Sequence, residues 1–291
     1  MTQSLLASCW TSAGDASPDP GRDVSPHSLR SRIEATAHAG FVGMGLFNVD
    51  LLHFLETSDF ATLRQILQDN GIETVELEFL ANWWMTGAPR EESDQVRRLL
   101  LTAAQELGAS TIKTAASLDG SEVDFHLLAS ELHQLGADAS EHGTTIGLEF
   151  MAFTNIPTLS KAMELIRAAD HPCIGLEIDA WHIDRCHTTM EELATVPLSA
   201  IMGVELDDGL HHQTDDAYRD TVDNRMIPGR GEFPLIDLVN TLVGIGWQGP
   251  WGVEILSAEY RTLDVAQALA ETADATFALL ADAERERGAR A

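Results

Sequence analysis

Residues 143–151 read Gly143-Thr-Thr-Ile-Gly-Leu-Glu149-Phe-Met151. A glycine that closes a helix-like stretch supplies the left-handed residue a helix C-terminus prefers. The apolar run that follows at once has the length of a buried strand. The same junction recurs along the chain. Gly40 precedes FVGMGLF, Gly71 precedes IETVELEFL, Gly108 precedes ASTIKTA, and Gly246 precedes WQGPWGVEIL. The first four of these glycines are spaced 31, 37 and 35 residues apart, the size of one strand–helix unit.

Extending this reading gives eight strands, at 4–9, 41–47, 72–79, 110–115, 144–151, 173–178, 200–206 and 250–255. The segments between them are amphipathic. Val96, Leu99, Leu100, Ala103 and Leu107 stripe one helix, with Ser93 placed to cap it. Ser25-Pro26 marks another helix start, with proline at the first helical position. Phe60, Leu63, Ile66 and Leu67 stripe a third helix. Leu159, Met163, Ile166 and Ala169 stripe a fourth, after Pro157. The charged, alanine-rich tail AERERGARA is expected to fray at its end. Eight strands alternating with helices predict an α/β fold, a single (β/α)8 TIM barrel over residues 1–291. An open doubly wound sheet is the alternative, and no GxGxxG or P-loop pattern supports it.

The 291 residues include 18 Lys+Arg against 46 Asp+Glu, a formal net charge of −28. Such a charge repels phosphate backbones and anionic membrane surfaces, so no nucleic acid and no membrane is expected as partner. At 44% hydrophobic residues the chain can build a core. Cys9, Cys173 and Cys186 share no CxxC spacing and do not make a disulfide framework. MTQSLLASCW lacks the basic and apolar regions of a signal peptide, and no run reaches about 18 apolar residues. A cytoplasmic location is therefore expected.

Chemistry in a (β/α)8 barrel sits at the C-terminal ends of the strands. Acids are concentrated there: Glu76 and Glu78 on strand three, Glu149 on five, Glu177 and Asp179 on six, Glu205, Asp207 and Asp208 on seven, and Glu254 on eight. Glu149, Glu205 and Glu254 each interrupt an aliphatic run. A carboxylate buried in such a run must be paired, protonated or bound to a cation. Few basic residues stand nearby in sequence, and oxygen ligands converging from several strands suit a hard divalent ion, Mg2+ or Mn2+. Because a strand aims only alternate residues inward, Glu76, Glu78 and Glu177 are assigned to helix-facing or ion-paired positions outside the site.

Four segments, LEFMAFTNIPTL, DAWH, DNRMIPGRGEFPL and GWQGPWGVEIL, resemble the xylose-isomerase-like barrel superfamily of sugar phosphate isomerases and epimerases. The likeness runs from strand two to strand eight. That family also contains inosose dehydratases, dehydroshikimate dehydratases and a DNA-repair endonuclease branch. The resemblance implies one divalent metal held from strands five to eight, and Glu149, Asp179 and Glu254 match three of its ligands. At strand seven the family's V-H-L-x-D reads VELDD, so Glu205 stands where histidine is usual. A four-carboxylate set is more acidic than the family pattern and favours Mn2+ or Mg2+ over Zn2+.

The resemblance also implies that His182 and Arg225 contact substrate oxygens and that Glu149 and Glu254 exchange a proton across the metal. Lys113 is a further candidate substrate contact. Trp10, Trp83, Trp84 and Trp181 sit near strand ends, where they could wall a sugar pocket. Gly229 and Gly231 read as turn residues. The implied chemistry is proton abstraction beside a carbonyl through a metal-stabilised enediolate. The substrate expected is a sugar, keto-sugar or polyol, and a homo-oligomer is compatible with the family. Return of the proton gives an isomerase or epimerase. Loss of a β-leaving group gives a lyase or dehydratase of keto-glycoside, inosose or dehydroshikimate type. The endonuclease branch needs more histidine ligands and a basic groove, which the charge opposes. A catalytically silent sugar-binding subunit is the remaining alternative.

Overall fold

The structure, a computed structural model, describes residues 3–290. Its strands are β1 (Leu5–Ala7), β2 (Gly43–Phe47), β3 (Thr74–Leu80), β4 (Thr111–Ala115), β5 (Thr145–Glu149), β6 (Ile174–Asp179), β7 (Ile201–Leu206) and β8 (Trp251–Val253). They pair in chain order, every pair parallel, and β1 pairs with β8 to close the barrel. Closure leaves no edge strand to protect. All eight predicted strands are present within a few residues of their expected bounds.

Helices fill the connections. They are α1 (Leu29–His38), α2 (Asn48–Leu55), α3 (Phe60–Asp69), α4 (Ala88–Leu107), α5 (Phe125–Glu141) and α6 (Leu159–Ala169), then α7 (Ala180–Arg185), α8 (Met190–Leu193), α9 (Ala217–Asp223), α10 (Leu235–Ile245) and α11 (Val265–Arg290). Side-chain caps start several of them: Asp59 on α3, Asp124 on α5 and Thr158 on α6 each accept a backbone N–H of the first turn. The five junction glycines all have positive φ.

Two helix starts differ from the sequence reading. The cap of α1 is Ser28, whose hydroxyl accepts Ser31 N–H, so Ser25-Pro26 lies before the helix. Helix α4 begins at Ala88, with Pro89 in its first turn. Ser93 lies inside it and donates to Ala81 O at 2.6 Å. The tail expected to fray is helical through Arg290.

Alternation along the strands divides the core. Leu148, Ile178, Val204 and Leu206 are buried in the apolar layer between sheet and helices. Their neighbours Gly147, Glu149, Glu177, Asp179, Gly203 and Glu205 fall on the other side, inside the barrel. Register aligns them: Glu149 sits beside Glu177, and Asp179 beside Glu205. The barrel interior is thus built from carboxylates and glycines. Gly203 is required there, because a Cβ would collide with both Glu177 carboxylate oxygens.

Candidate metal centre

Glu149, Asp179, Glu205 and Glu254 converge at the C-terminal end of the barrel from β5, β6, β7 and the residue after β8. One oxygen from each lies within 4.8 Å of the others, and all four are buried. The set fits a hard divalent cation, since its donors are all carboxylate oxygens. Glu149 Oε1 and Glu205 Oε2 are buried without a hydrogen-bond partner, which leaves lone pairs for such an ion. Glu149, Asp179 and His182 form a second grouping within the same distance limit.

Two buried cations hold this acid in place. Lys113, inward on β4, pairs with Glu205 and lies 3.4 Å from Glu78 Oε1 and 3.6 Å from Glu76 Oε2. Arg225 Nη1 lies 2.7 Å from Asp179 Oδ2 and 3.1 Å from Glu254 Oε2, and it also pairs with Asp207. These pairs answer the apparent shortage of basic partners, which is visible only across strands. The Arg225 segment is itself pinned. Its backbone N–H donates to Leu256 O, and Met226 and Asp208 exchange backbone bonds. Asp208 accepts the N–H groups of Gly209, Gly229, Gly231 and Phe233, so the two glycines are turn residues, as their sequence suggested.

The charges of the cluster follow from this arrangement. Burial lifts Glu254 to a pKa of about 8, with the neighbouring acids adding to the effect and Arg225 and Lys113 only partly opposing it. Burial, then Glu254, pushes Glu205 well above the carboxylate range despite Lys113. Burial and Asp179 do the same to Asp207. Burial also works against ionised Asp179, but Arg225 and then His182 outweigh it and hold that carboxyl at about 2. Burial would lower Lys113, yet Glu205, Glu78 and Glu76 raise it well above its usual value.

Glu76, Glu78 and Glu177 face into the barrel, which corrects the helix-facing expectation, while Glu76 and Glu78 are ion-paired as the other alternative had it, both to Lys113. Residues two apart on a strand share a face, so Glu177 follows Asp179 inward and Glu76 accompanies Glu78. Glu78 accepts Cys9 N–H at 3.1 Å and lines the cavity above the cluster. Both Glu177 oxygens are buried with no hydrogen-bond partner, and burial together with Glu76 drives its carboxyl strongly toward the neutral form. Glu78, which the sequence reading put outside the site, lines the cavity, and Asp207, which it left unassigned, pairs with Arg225. The signal for each was its position two residues from another inward strand residue.

A cavity of about 400 Å3 opens above the acids. Glu149, Glu254, His182, Arg225, Lys113 and Glu78 all line it. His182 is 1% exposed, with Nε2 3.2 Å from Glu149 Oε1 and 3.8 Å from Asp179 Oδ2. Among the four tryptophans, Trp10 lines the cavity and Trp83, Trp84 and Trp181 do not. Trp181 is corrected as a substrate contact for a local reason. The Asp179 carboxylate caps α7 by accepting Trp181 N–H at 2.7 Å. The indole then packs behind the wall, its N–H bonded to Thr221 Oγ1 and Arg185 stacked 4.1 Å over its ring. No helix among the described residues is long and apolar enough to cross a membrane.

Comparison with known proteins places this architecture. A 3-dehydroshikimate dehydratase of Pseudomonas putida is 26% identical over 248 residues, 84% of this chain and 38% of that protein. An inosose isomerase of Halalkalibacterium halodurans is 27% identical over 149 residues, 50% of this chain and 51% of that protein. The chain therefore spans about 38% of the dehydratase's length and about half of the isomerase's. Among solved structures, one described as IOLI protein with a binding zinc atom superposes with a TM-score of 0.81 at 18% identity, covering 96% of this chain and 99% of that one. The description "xylose isomerase-like TIM barrel" matches residues 33–278. With its closed eight-stranded barrel and that match over most of its length, the chain belongs to the xylose isomerase-like TIM barrel family.

Proposed function

We propose that this protein is a divalent-metal-dependent isomerase or epimerase acting on a small sugar, keto-sugar or polyol. It takes a proton from the carbon beside a carbonyl and returns it. The observation that carries this reading is that Glu149, from β5, and Glu254, from the end of β8, belong to one four-carboxylate cluster and both line the cavity that opens on it. Glu149, Asp179, Glu205 and Glu254 would hold Mn2+ or Mg2+, which supplies Lewis-acid polarisation of a substrate oxygen when bound.

The remaining work falls to the side chains. Glu149, with a free buried oxygen facing His182, takes the proton. Glu254, whose burial lifts its proton affinity into the neutral range, returns it from the other side. His182 meets a substrate oxygen at the wall, and Lys113 and Arg225, which also line the cavity, fix the carboxylates by ion pairing. Asp207 shares Arg225 with Asp179 and Glu254, which keeps the guanidinium centred among the acids.

A second reading keeps the same first step and ends in elimination of a β-leaving group. The dehydratase relative, matched over 84% of this chain, favours it. The two are separated by incubating the Mn2+-loaded protein with keto-sugars, inososes and keto-glycosides in D2O. Deuterium at the carbon beside the carbonyl with an epimer or isomer as product supports the first reading. Release of water or an aglycone supports the second. Absence of both exchange and product contradicts the common step.

A further inference from the structure

The cavity has two ends of opposite chemistry. At its base stand Glu78, Glu149 and Glu254. Its only basic side chains among the described residues are Lys113, His182 and Arg225. Lys113 is committed to three carboxylates and Arg225 to three others. An anionic substituent entering here meets several acids and no lysine or arginine free to receive it.

The outer end is partly open and mainly apolar, with Asp23, Asn82 and Glu92 the polar groups at its rim. Phe47, Phe79, Leu118, Phe153 and Tyr218 line it and remain only partly covered, Leu118 being 40% exposed. The aromatic rings are set in pairs. Trp10 and Phe47 have centroids 4.8 Å apart. Phe153 stands edge-on to Tyr218, 6.1 Å away, and 6.4 Å from the His182 ring. This apolar wall is thus continuous with the histidine beside Glu149. A cavity of about 400 Å3 lies in the range that holds a drug-sized ligand. A free monosaccharide at the acids would leave the aromatic wall wet.

We propose that the substrate of this site is an uncharged keto-sugar or keto-polyol ring carrying an apolar, ring-sized substituent. The polyol ring lies at the acids, and the substituent lies against Phe47, Phe153 and Tyr218. The proposal rests on the reading of this cavity as the active site. It also separates the chain from its dehydratase relative, whose named substrate is a carboxylate.

The test is calorimetric titration of the Mn2+-loaded protein with matched methyl and phenyl glycosides of glucose, galactose and mannose, and with the hexose 6-phosphates. For at least one hexose the phenyl glycoside binds about tenfold or more tighter than the methyl glycoside, as burial of an aromatic ring implies. The 6-phosphates bind more weakly than the methyl glycosides. Phe153→Ala and, on the exposed side, Leu118→Ser each reduce the phenyl preference while Mn2+ affinity is unchanged. Equal binding of phenyl and methyl glycosides, binding by none of the probes, or tighter binding of a phosphate overturns the proposal. These readouts involve no turnover. A phenyl preference without deuterium exchange would sink the reaction and leave the ligand class standing. Exchange on simple keto-sugars without a phenyl preference would do the reverse.

Discussion

Arg225 Nη1 lies 2.7 Å from Asp179 Oδ2, inside the barrel mouth, with both side chains almost wholly buried. A fixed cation therefore shares the carboxylate ring that would receive the metal. Asp179 keeps its charge because of Arg225, and its neighbours compete for the proton instead.

Removing that cation has two opposed effects. Arg225→Met leaves Asp179, Asp207 and Glu254 without their partner, and breaking a buried pair costs about 3–5 kcal/mol. The metal-free variant should unfold at lower denaturant or temperature than the metal-free wild type. Mn2+ should then recover a larger share of stability in the variant than in the wild type. Thermal unfolding with and without Mn2+ checks this, and an unchanged metal-free midpoint would contradict it.

Glu254 and Glu205 set a pH dependence. Both have folded-state pKa values above the ordinary carboxylate value, Glu254 at about 8. The unfolded chain releases their protons at lower pH than the folded chain does. Stability of the metal-free protein therefore falls as pH rises from about 4.5 towards 8, by up to about 1.4 kcal/mol per pH unit for each such group. Asp179, held at about 2, works in the other direction, but its stabilisation is fully present above about pH 5 and is lost only at lower pH. Metal binding needs ionised ligands, so the stabilisation by Mn2+ should grow over the same window. Unfolding curves at pH 5, 6.5 and 8 measure both trends. Metal-free stability that rises steadily across that range would count against the cluster's assigned charges.

Lys113 and Glu205 should behave as one unit. Lys113→Met alone removes the cation that faces Glu205, Glu78 and Glu76, and is strongly destabilising. Adding Glu205→Gln replaces the unpartnered carboxyl by a neutral amide and should return a substantial part of the loss. The coupling energy in the double-mutant cycle is expected near 1–3 kcal/mol. Additive single and double variants would show that the contact does not hold the pair together. The same pair gives Glu205→His a clear expectation: an imidazole beside a positively charged Lys113 should lower stability more than Glu205→Gln does.

Trp181 separates wall from cavity. Trp181→Phe deletes the N–H bond to Thr221, worth about 0.5–1.5 kcal/mol, and should leave KM for any substrate within about twofold. A tenfold rise in KM would put the indole in the cavity after all.

The residues themselves explain why part of this was legible in sequence. The glycine–strand junctions from Gly40 to Gly143 recur every 31 to 37 residues, so the barrel could be read without knowing any contact. Glu149 and Glu254 each interrupt an aliphatic run at a strand's end, and that contrast survives in one dimension. Glu177 was misplaced because its fate depends on Asp179 two residues on, which shares its face. The roles of Lys113 and Arg225 were hidden because their partners come from other strands, brought near only by register and by the β7–α9 and β8 loops. Trp181 was misread because the first turn of α7 rotates it away from the strand end it follows.

The most direct test of the central claim is solvent hydrogen exchange at the carbon beside the substrate carbonyl, measured for Glu149→Gln and Glu254→Gln with Mn2+ binding measured in parallel. The account predicts that each variant still binds Mn2+, more weakly than the wild type, and that exchange at saturating metal falls by about 10²-fold or more, the scale of general acid–base catalysis. Exchange at the wild-type rate in either metal-loaded variant would contradict the two-carboxylate mechanism.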